Sequence, residues 1–172
     1  MSKIFLVVFP LICCFSWCAN LVEAGQSLPR GTRAELVVVE KSKRELTLFA
    51  EGKVLKVYKI ALGKQPKGPK EREGDGKTPE GLYFIDYRKH DSNFYRALHI
   101  SYPNKDDSER ARKMGVSPGN SIMIHGLRKE LEWVGELHRM WDWTEGCVAV
   151  TNEEIDELWR VVPDGTLIEI KP

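Results

Sequence analysis

The sequence predicts a mainly β domain, sandwich-like with mixed strands and a few short helices, on three observations. Short β-branched or alternating apolar runs recur along most of the chain, each closed by Gly, Pro, Asn or charged residues. Only three segments have helical composition, and all are short. Hydrophobic residues make up 42% of 172, enough for one packed core, and no internal repeat or low-complexity tract interrupts them.

In chain order, residues 35–40 are β-branched and bounded by charge, which predicts a strand. Residues 45–50 predict a second, and Glu51-Gly52 the turn to a hairpin partner over 54–61. In that partner Val54, Lys56, Tyr58 and Ile60 share one face, with Leu55, Val57 and Lys59 on the other. Residues 63–77 lack an apolar period and read as a surface loop. Its Lys64, Lys67, Lys70, Arg72 and Lys77 suit an anionic ligand, but Glu71, Glu73 and Asp75 offset them, so the segment reads as solvated. Residues 78–81 form a turn, and 82–87 and 98–102 are further strands. His90 falls in a charged loop between them, and His99 reads as a core or face residue. Residues 106–114 are helical, capped by Gly115. A strand over 121–125 ends at His125. Residues 128–141 read as a helix with Leu131, Val134, Leu137 and Met140 on one face. A short strand at 148–150 precedes a helix that runs to Val161, opened by a Thr151/Glu154 capping box. The turn Pro163-Asp164-Gly165 leads to a closing strand at 166–170.

The first two dozen residues differ from the rest. Lys3 precedes an apolar run, and Val22-Glu23-Ala24 offers the small residues a signal peptidase reads. The expectation is a signal peptide over 1–24, a linker over 25–34 and a domain over 35–171, with the protein exported to the periplasm or cell envelope. An uncleaved anchor is the rival; Pro10 and the shortness of the apolar run count against it. Membrane association is expected only through this signal. Cys13, Cys14 and Cys18 leave with it, and Cys147 stays alone of the four cysteines. A lone thiol in an exported chain is either a buried filler or a reactive group. The net charge of +1 argues against nucleic acid as a partner, which needs a basic face.

A cysteine attacks as thiolate and needs a base or a positive charge nearby. Of the histidines, His125 is set apart by ending an apolar strand, with Gly126 leaving space beside its ring. His138, on the predicted helix, either approaches the site or lies on the helix surface. Gly146 allows a tight turn before Cys147, so the backbone N–H groups of Gly146 and Cys147 are candidate oxyanion donors. A side chain at 146 is expected to cost activity more than stability. No metal and no other cofactor is expected: one cysteine and scattered histidines lack zinc spacing, and no phosphate-cradling loop is present.

Ile124-His125-Gly126, then Gly146-Cys147-Val148, Asn152 with its helix, and Asp164-Gly165-Thr166 with a final strand together resemble the YkuD-type L,D-transpeptidase domain. Gly76-Lys77-Thr78-Pro79-Glu80-Gly81 before an aromatic strand matches the same pattern. The resemblance covers residues 35–170. It implies an L,D-transpeptidase fold and peptidoglycan stem peptides as substrate. In this reading Cys147 is the nucleophile, His125 the general acid/base, and the acyl group passes through a thioester on Cys147. The acceptor is a second stem peptide in cross-linking, or the amine of a wall protein. Water as acceptor gives an L,D-carboxypeptidase, and a non-catalytic wall-binding module is the competing class. The sequence departs from the motif in two ways. Glu145 stands where the family has a histidine, and a helix is predicted between His125 and Cys147. A glutamate facing the thiol raises its pKa. Residues that could shape the site or take over the missing histidine's role are Gly126, His138, Trp143 and Thr144, besides Glu145 itself.

Overall fold

The computed structural model describes residues 26–172, so the expected export signal lies outside the described residues. Eight strands form the fold: β1 (Leu36–Glu40), β2 (Glu45–Ala50), β3 (Lys53–Lys59), β4 (Gly81–Ser92), β5 (Tyr95–Ile100), β6 (Met123–His125), β7 (Val148–Ala149) and β8 (Leu167–Lys171). Two α-helices accompany them, α1 (Lys105–Met114) and α2 (Asn152–Val161). The sheet order is β3-β2-β1-β8-β4-β5-β6-β7. The β1–β8 and β6–β7 pairs are parallel and the rest antiparallel, which is the mixed sheet expected.

Two features roll this sheet. Strand β4 pairs with β8 through residues 81–84 and with β5 further along, so it joins the two halves. The chain leaving β3 then meets the far edge: Ala61 and Ala149 exchange both backbone hydrogen bonds, at 3.0 and 2.8 Å. The concave side fills with one core, including Val37, Val39, Leu46, Tyr58, Ile85, Ile124, Val148 and Ile168. Helix α2 closes it with Ile155, Leu158 and Val161, all fully buried. Its Thr151/Glu154 capping box forms as expected, and α1 ends in Gly115 in the left-handed region. Residues 26–34 lie against α2, where Arg160 donates to the carbonyls of Leu28 and Pro29.

Several local expectations change. Leu48 pairs with Lys56 and Phe49 with Val54, so Leu55 is an extra residue in β3. The bulge shifts the alternation: Leu55 packs toward the core while Val54 is exposed. Strand β4 continues to Ser92, so His90 lies in a strand, its ring against Trp159. The predicted helix over 128–141 is a 3₁₀ segment, Lys129–Met140, broken at Gly135, whose φ is 50°. Its expected inward face points outward: Leu131, Leu137 and Met140 are exposed, and the buried side chain is His138. A 3₁₀ turn has three residues, so the 3.6-residue stripe does not form one face there.

The loop over 63–77 is not simply solvated. Lys70 is buried and pairs at 2.7 Å with Asp75, which is half-buried. Asp75 also accepts the backbone N–H groups of Glu71, Arg72 and Lys77 at 2.8–3.0 Å. Burial alone raises a carboxyl, but these partners override it and hold Asp75 at about 2. From outside, the buried Lys41 ammonium ties the loop down through Gly68 O, Thr78 O and Glu80.

Candidate functional site

Strands β6 and β7 run side by side in parallel, with Ile124 opposite Val148 and His125 opposite Ala149. Ile124 and Val148 turn into the core and are fully buried. Alternation therefore puts His125 on the other face, and Cys147, one residue before β7, on that same face. Two residues 22 positions apart in sequence are thus brought to one face of paired strands by core packing of their neighbours.

His125 is buried, and its Nδ1 lies 2.7 Å from the carbonyl of Gly126. A carbonyl only accepts, so Nδ1 carries the proton and Nε2 the lone pair. Burial pushes the imidazole down to about 4, against the opposing pull of that carbonyl. The ring is therefore neutral near pH 7. Phe94 lies against it with centroids 4.4 Å apart, and Trp143 meets it edge-on at 5.8 Å.

Gly126 does not leave space beside the ring. A Cβ there would sit 2.5 Å from Asn152 Oδ1. Asn152 occupies that space, and its Oδ1 accepts the Leu127 N–H at 2.8 Å, which pins the turn after His125.

The turn before Cys147 is held by Thr144. Its buried hydroxyl donates to Cys147 O at 2.7 Å and accepts the Gly146 N–H at 3.1 Å. The Gly146 N–H is thus already engaged, which leaves that of Cys147 as the candidate oxyanion donor. Thr144 is itself bonded through its backbone to Leu62 and Lys64, and Asp142 below it holds Leu62 N–H and the Arg44 guanidinium. Gly146 has φ 127°, and a Cβ would lie 2.5 Å from Lys77 O and 3.1 Å from Ile122 Cδ1. A side chain here would therefore meet backbone in a strained conformation, so a stability cost is expected beside the cost in activity anticipated from the sequence.

The Cys147 thiol is half-buried and lies 3.6 Å from Ser121 O. Burial pushes its pKa up, while the Met123 N–H and the charge of Lys70 pull it down. Glu145 is not among the groups acting on it: its carboxylate is exposed and paired with Lys64 at 2.7 Å. The glutamate in the histidine's place faces away.

Gly126, Trp143, Thr144 and Gly146 therefore cluster with His125 and Cys147. His138 lies one ring further out, edge-on to Trp143 at 6.4 Å and buried, with no partner among the described residues for either ring nitrogen. Burial holds it at about 4. His99 is elsewhere, stacked on Tyr87 and paired with Asp86. Sequence reasoning missed Phe94, which sits at a hairpin tip with no motif, and Asp142, whose partners are distant in sequence. Among the described residues no group of three His, Cys, Asp or Glu is placed to hold a metal ion, and no helix is long and apolar enough to cross a membrane.

Comparison with known proteins converges on one family. The model of the YkuD L,D-transpeptidase catalytic domain matches residues 34–170. YafK of Escherichia coli (strain K12) is 33% identical over 142 residues, covering 79% of this chain and 50% of YafK. YqjB of Bacillus subtilis (strain 168) is 30% identical over 138 residues, covering 78% of this chain and 69% of YqjB. Both relatives carry L,D-transpeptidase names. The chain spans about half the length of YafK. The crystal structure of the helical cell shape determining protein Pgp2 from Campylobacter jejuni superposes with a TM-score of 0.61 at 25% identity, covering 85% of this chain and 51% of Pgp2.

Proposed function

The chain belongs to the YkuD L,D-transpeptidase catalytic domain family, and on that premise we propose that it is an exported cysteine acyltransferase acting on peptidoglycan stem peptides. The observation that carries the chemistry is the pairing of β6 with β7, which sets a thiol and a neutral imidazole on one face with Nε2 unprotonated.

In this reading the Nε2 lone pair of His125 takes the Cys147 proton as sulfur attacks the carbonyl of the third stem residue. The C–S bond forms, and the bond to the leaving D-alanine nitrogen breaks as His125 returns the proton to it. The product is a thioester on Cys147. An amine from a second stem peptide, or from a wall protein, then attacks it. His125 takes the proton from that amine, and sulfur leaves and is reprotonated. The Cys147 N–H faces the developing oxyanion. Gly126 O holds the imidazole in the required tautomer throughout, the role an orienting acceptor plays in other nucleophile–histidine sites. The N-terminal pattern of Lys3, an apolar run and Val22-Glu23-Ala24 supports export. Pgp2 is a helical cell shape determining protein, so a role in wall shape is the physiological expectation.

The test is covalent capture. Incubated with a carbapenem near neutral pH, the protein should gain one adduct by mass, absent in Cys147→Ser and strongly reduced in His125→Ala. Products from a purified tetrapeptide muropeptide then identify the acceptor. No adduct on the unaltered protein, or an equal one after His125→Ala, sinks the proposal.

A further inference from the structure

Arg128 stands three residues after His125, on backbone that is held at each step between. Gly126 O takes the His125 Nδ1 proton at 2.7 Å, and Gly126 N–H donates to Arg96 O at 3.2 Å. Leu127 N–H donates to Asn152 Oδ1 at 2.8 Å, and Arg128 O accepts the Leu131 N–H at 2.8 Å. The Arg128 side chain is exposed, with its guanidinium carbon over the Phe94 ring, 4.9 Å from the centroid. Phe94 in turn lies 4.4 Å from the His125 ring, so guanidinium and imidazole are separated by no more than the sum of those two spacings.

The other cations around the site are engaged. Lys64 pairs with Glu145, Lys70 with Asp75, Arg96 with Asp156 and Arg139 with Glu154. Arg128 has no carboxylate within 4 Å and no hydrogen-bond acceptor among the described residues; its contact is Phe94. An aromatic ring steadies a guanidinium without satisfying its fork of N–H donors, so the geometry that matches a carboxylate stays open.

The proposed reaction brings a carboxylate to this spot. His125 Nε2 returns its proton to the leaving D-alanine nitrogen across a hydrogen bond of about 3 Å. In a tetrapeptide that D-alanine is terminal, and its carboxylate carbon is two bonds, about 2.5 Å, from the same nitrogen. We propose that Arg128 binds the terminal carboxylate of the leaving D-alanine, and so favours donors that end at the fourth stem residue. This rests on the reading of Cys147 and His125 as an acyl-transfer pair and deepens it by naming what holds the leaving group. Phe94 then serves twice, packing on the base and carrying the anchor.

The test compares two ligands that differ only at the carboxylate. Binding of a tetrapeptide muropeptide, and of the same muropeptide ending in a C-terminal amide, is measured by calorimetry on the full chain carrying Cys147→Ser. With Arg128 in place the free carboxylate should bind about tenfold tighter than the amide. Adding Arg128→Gln should abolish that preference, weakening the tetrapeptide by the same factor and leaving the amide unchanged. Arg128→Lys should keep part of it, since lysine offers the charge without the fork. Lys129→Met, which removes the neighbouring exposed cation, should leave it whole. If Arg128 only supports Phe94, Arg128→Gln weakens both ligands alike, and that result overturns the proposal. So does equal binding of the two ligands with Arg128 in place, or binding of neither. The carbapenem adduct on the unaltered thiol reports separately. An adduct without a carboxylate preference removes this anchor and leaves acyl transfer standing. An Arg128-dependent preference without an adduct refutes acyl transfer and leaves the carboxylate site.

Discussion

Gly146→Ala is the sharpest probe of how the site is built. The added Cβ would lie 2.5 Å from Lys77 O, where carbon and oxygen normally stay above about 3.3 Å. The carbonyl has little room to retreat. Lys77 N–H is bonded to Asp75, and the next residue, Thr78, is held through its hydroxyl by Gly63 and through its carbonyl by Lys41. The backbone also sits at φ 127°, a conformation that side chains rarely adopt. Strain of about 1–3 kcal/mol and overpacking of similar size together predict a loss of roughly 3–5 kcal/mol. Gly135→Ala is the matched control: φ is 50° and ψ −132°, also strained for a side chain, but nothing lies within 4 Å of its Cβ, so only the strain of about 1–3 kcal/mol should appear. Equilibrium urea unfolding of both variants measures the difference. If Gly146→Ala destabilises no more than Gly135→Ala, the close approach of loop and site is wrong.

Two further outcomes are expected. Thr144→Val removes the hydroxyl that pairs Gly146 N–H and Cys147 O, and should cost about 1–3 kcal/mol by urea unfolding, most of it recovered in Thr144→Ser. His125 and His138 both titrate near 4 in the folded protein against an ordinary 6.5, so the unfolded chain binds more protons between these values. Their contribution is complete above pH 6.5 and is lost as pH falls toward 4, at up to about 1.4 kcal/mol per pH unit for each histidine. His138→Leu should roughly halve that slope in urea titrations between pH 7 and 5, and an unchanged slope would show that His138 is not buried neutral.

What the sequence determined by itself is the part written in local pattern. Runs such as Val37-Val38-Val39 and Leu167-Ile168 are strands because β-branched and apolar residues fit a pleated, buried surface. The Thr151/Glu154 box starts α2 because both partners lie within one turn. His125 at a strand end and Cys147 just before another strand were visible for the same reason, and so was the order of motifs that names the family. Tertiary structure alone decided which polar groups were buried, because that depends on partners far along the chain. Lys70 and Asp75 look like two of many offsetting loop charges until the fold presses their loop against Thr144, Gly146 and Ser117. Glu145 faces outward because Lys64, 81 positions away, is there to pair with it. Gly126 is small because Asn152 fills its side, and Leu131, Leu137 and Met140 are exposed because a 3₁₀ backbone broken at Gly135 cannot align them on one face. Local periodicity carries the strands and caps; the electrostatic surroundings of the thiol arise only when segments distant in sequence are packed together.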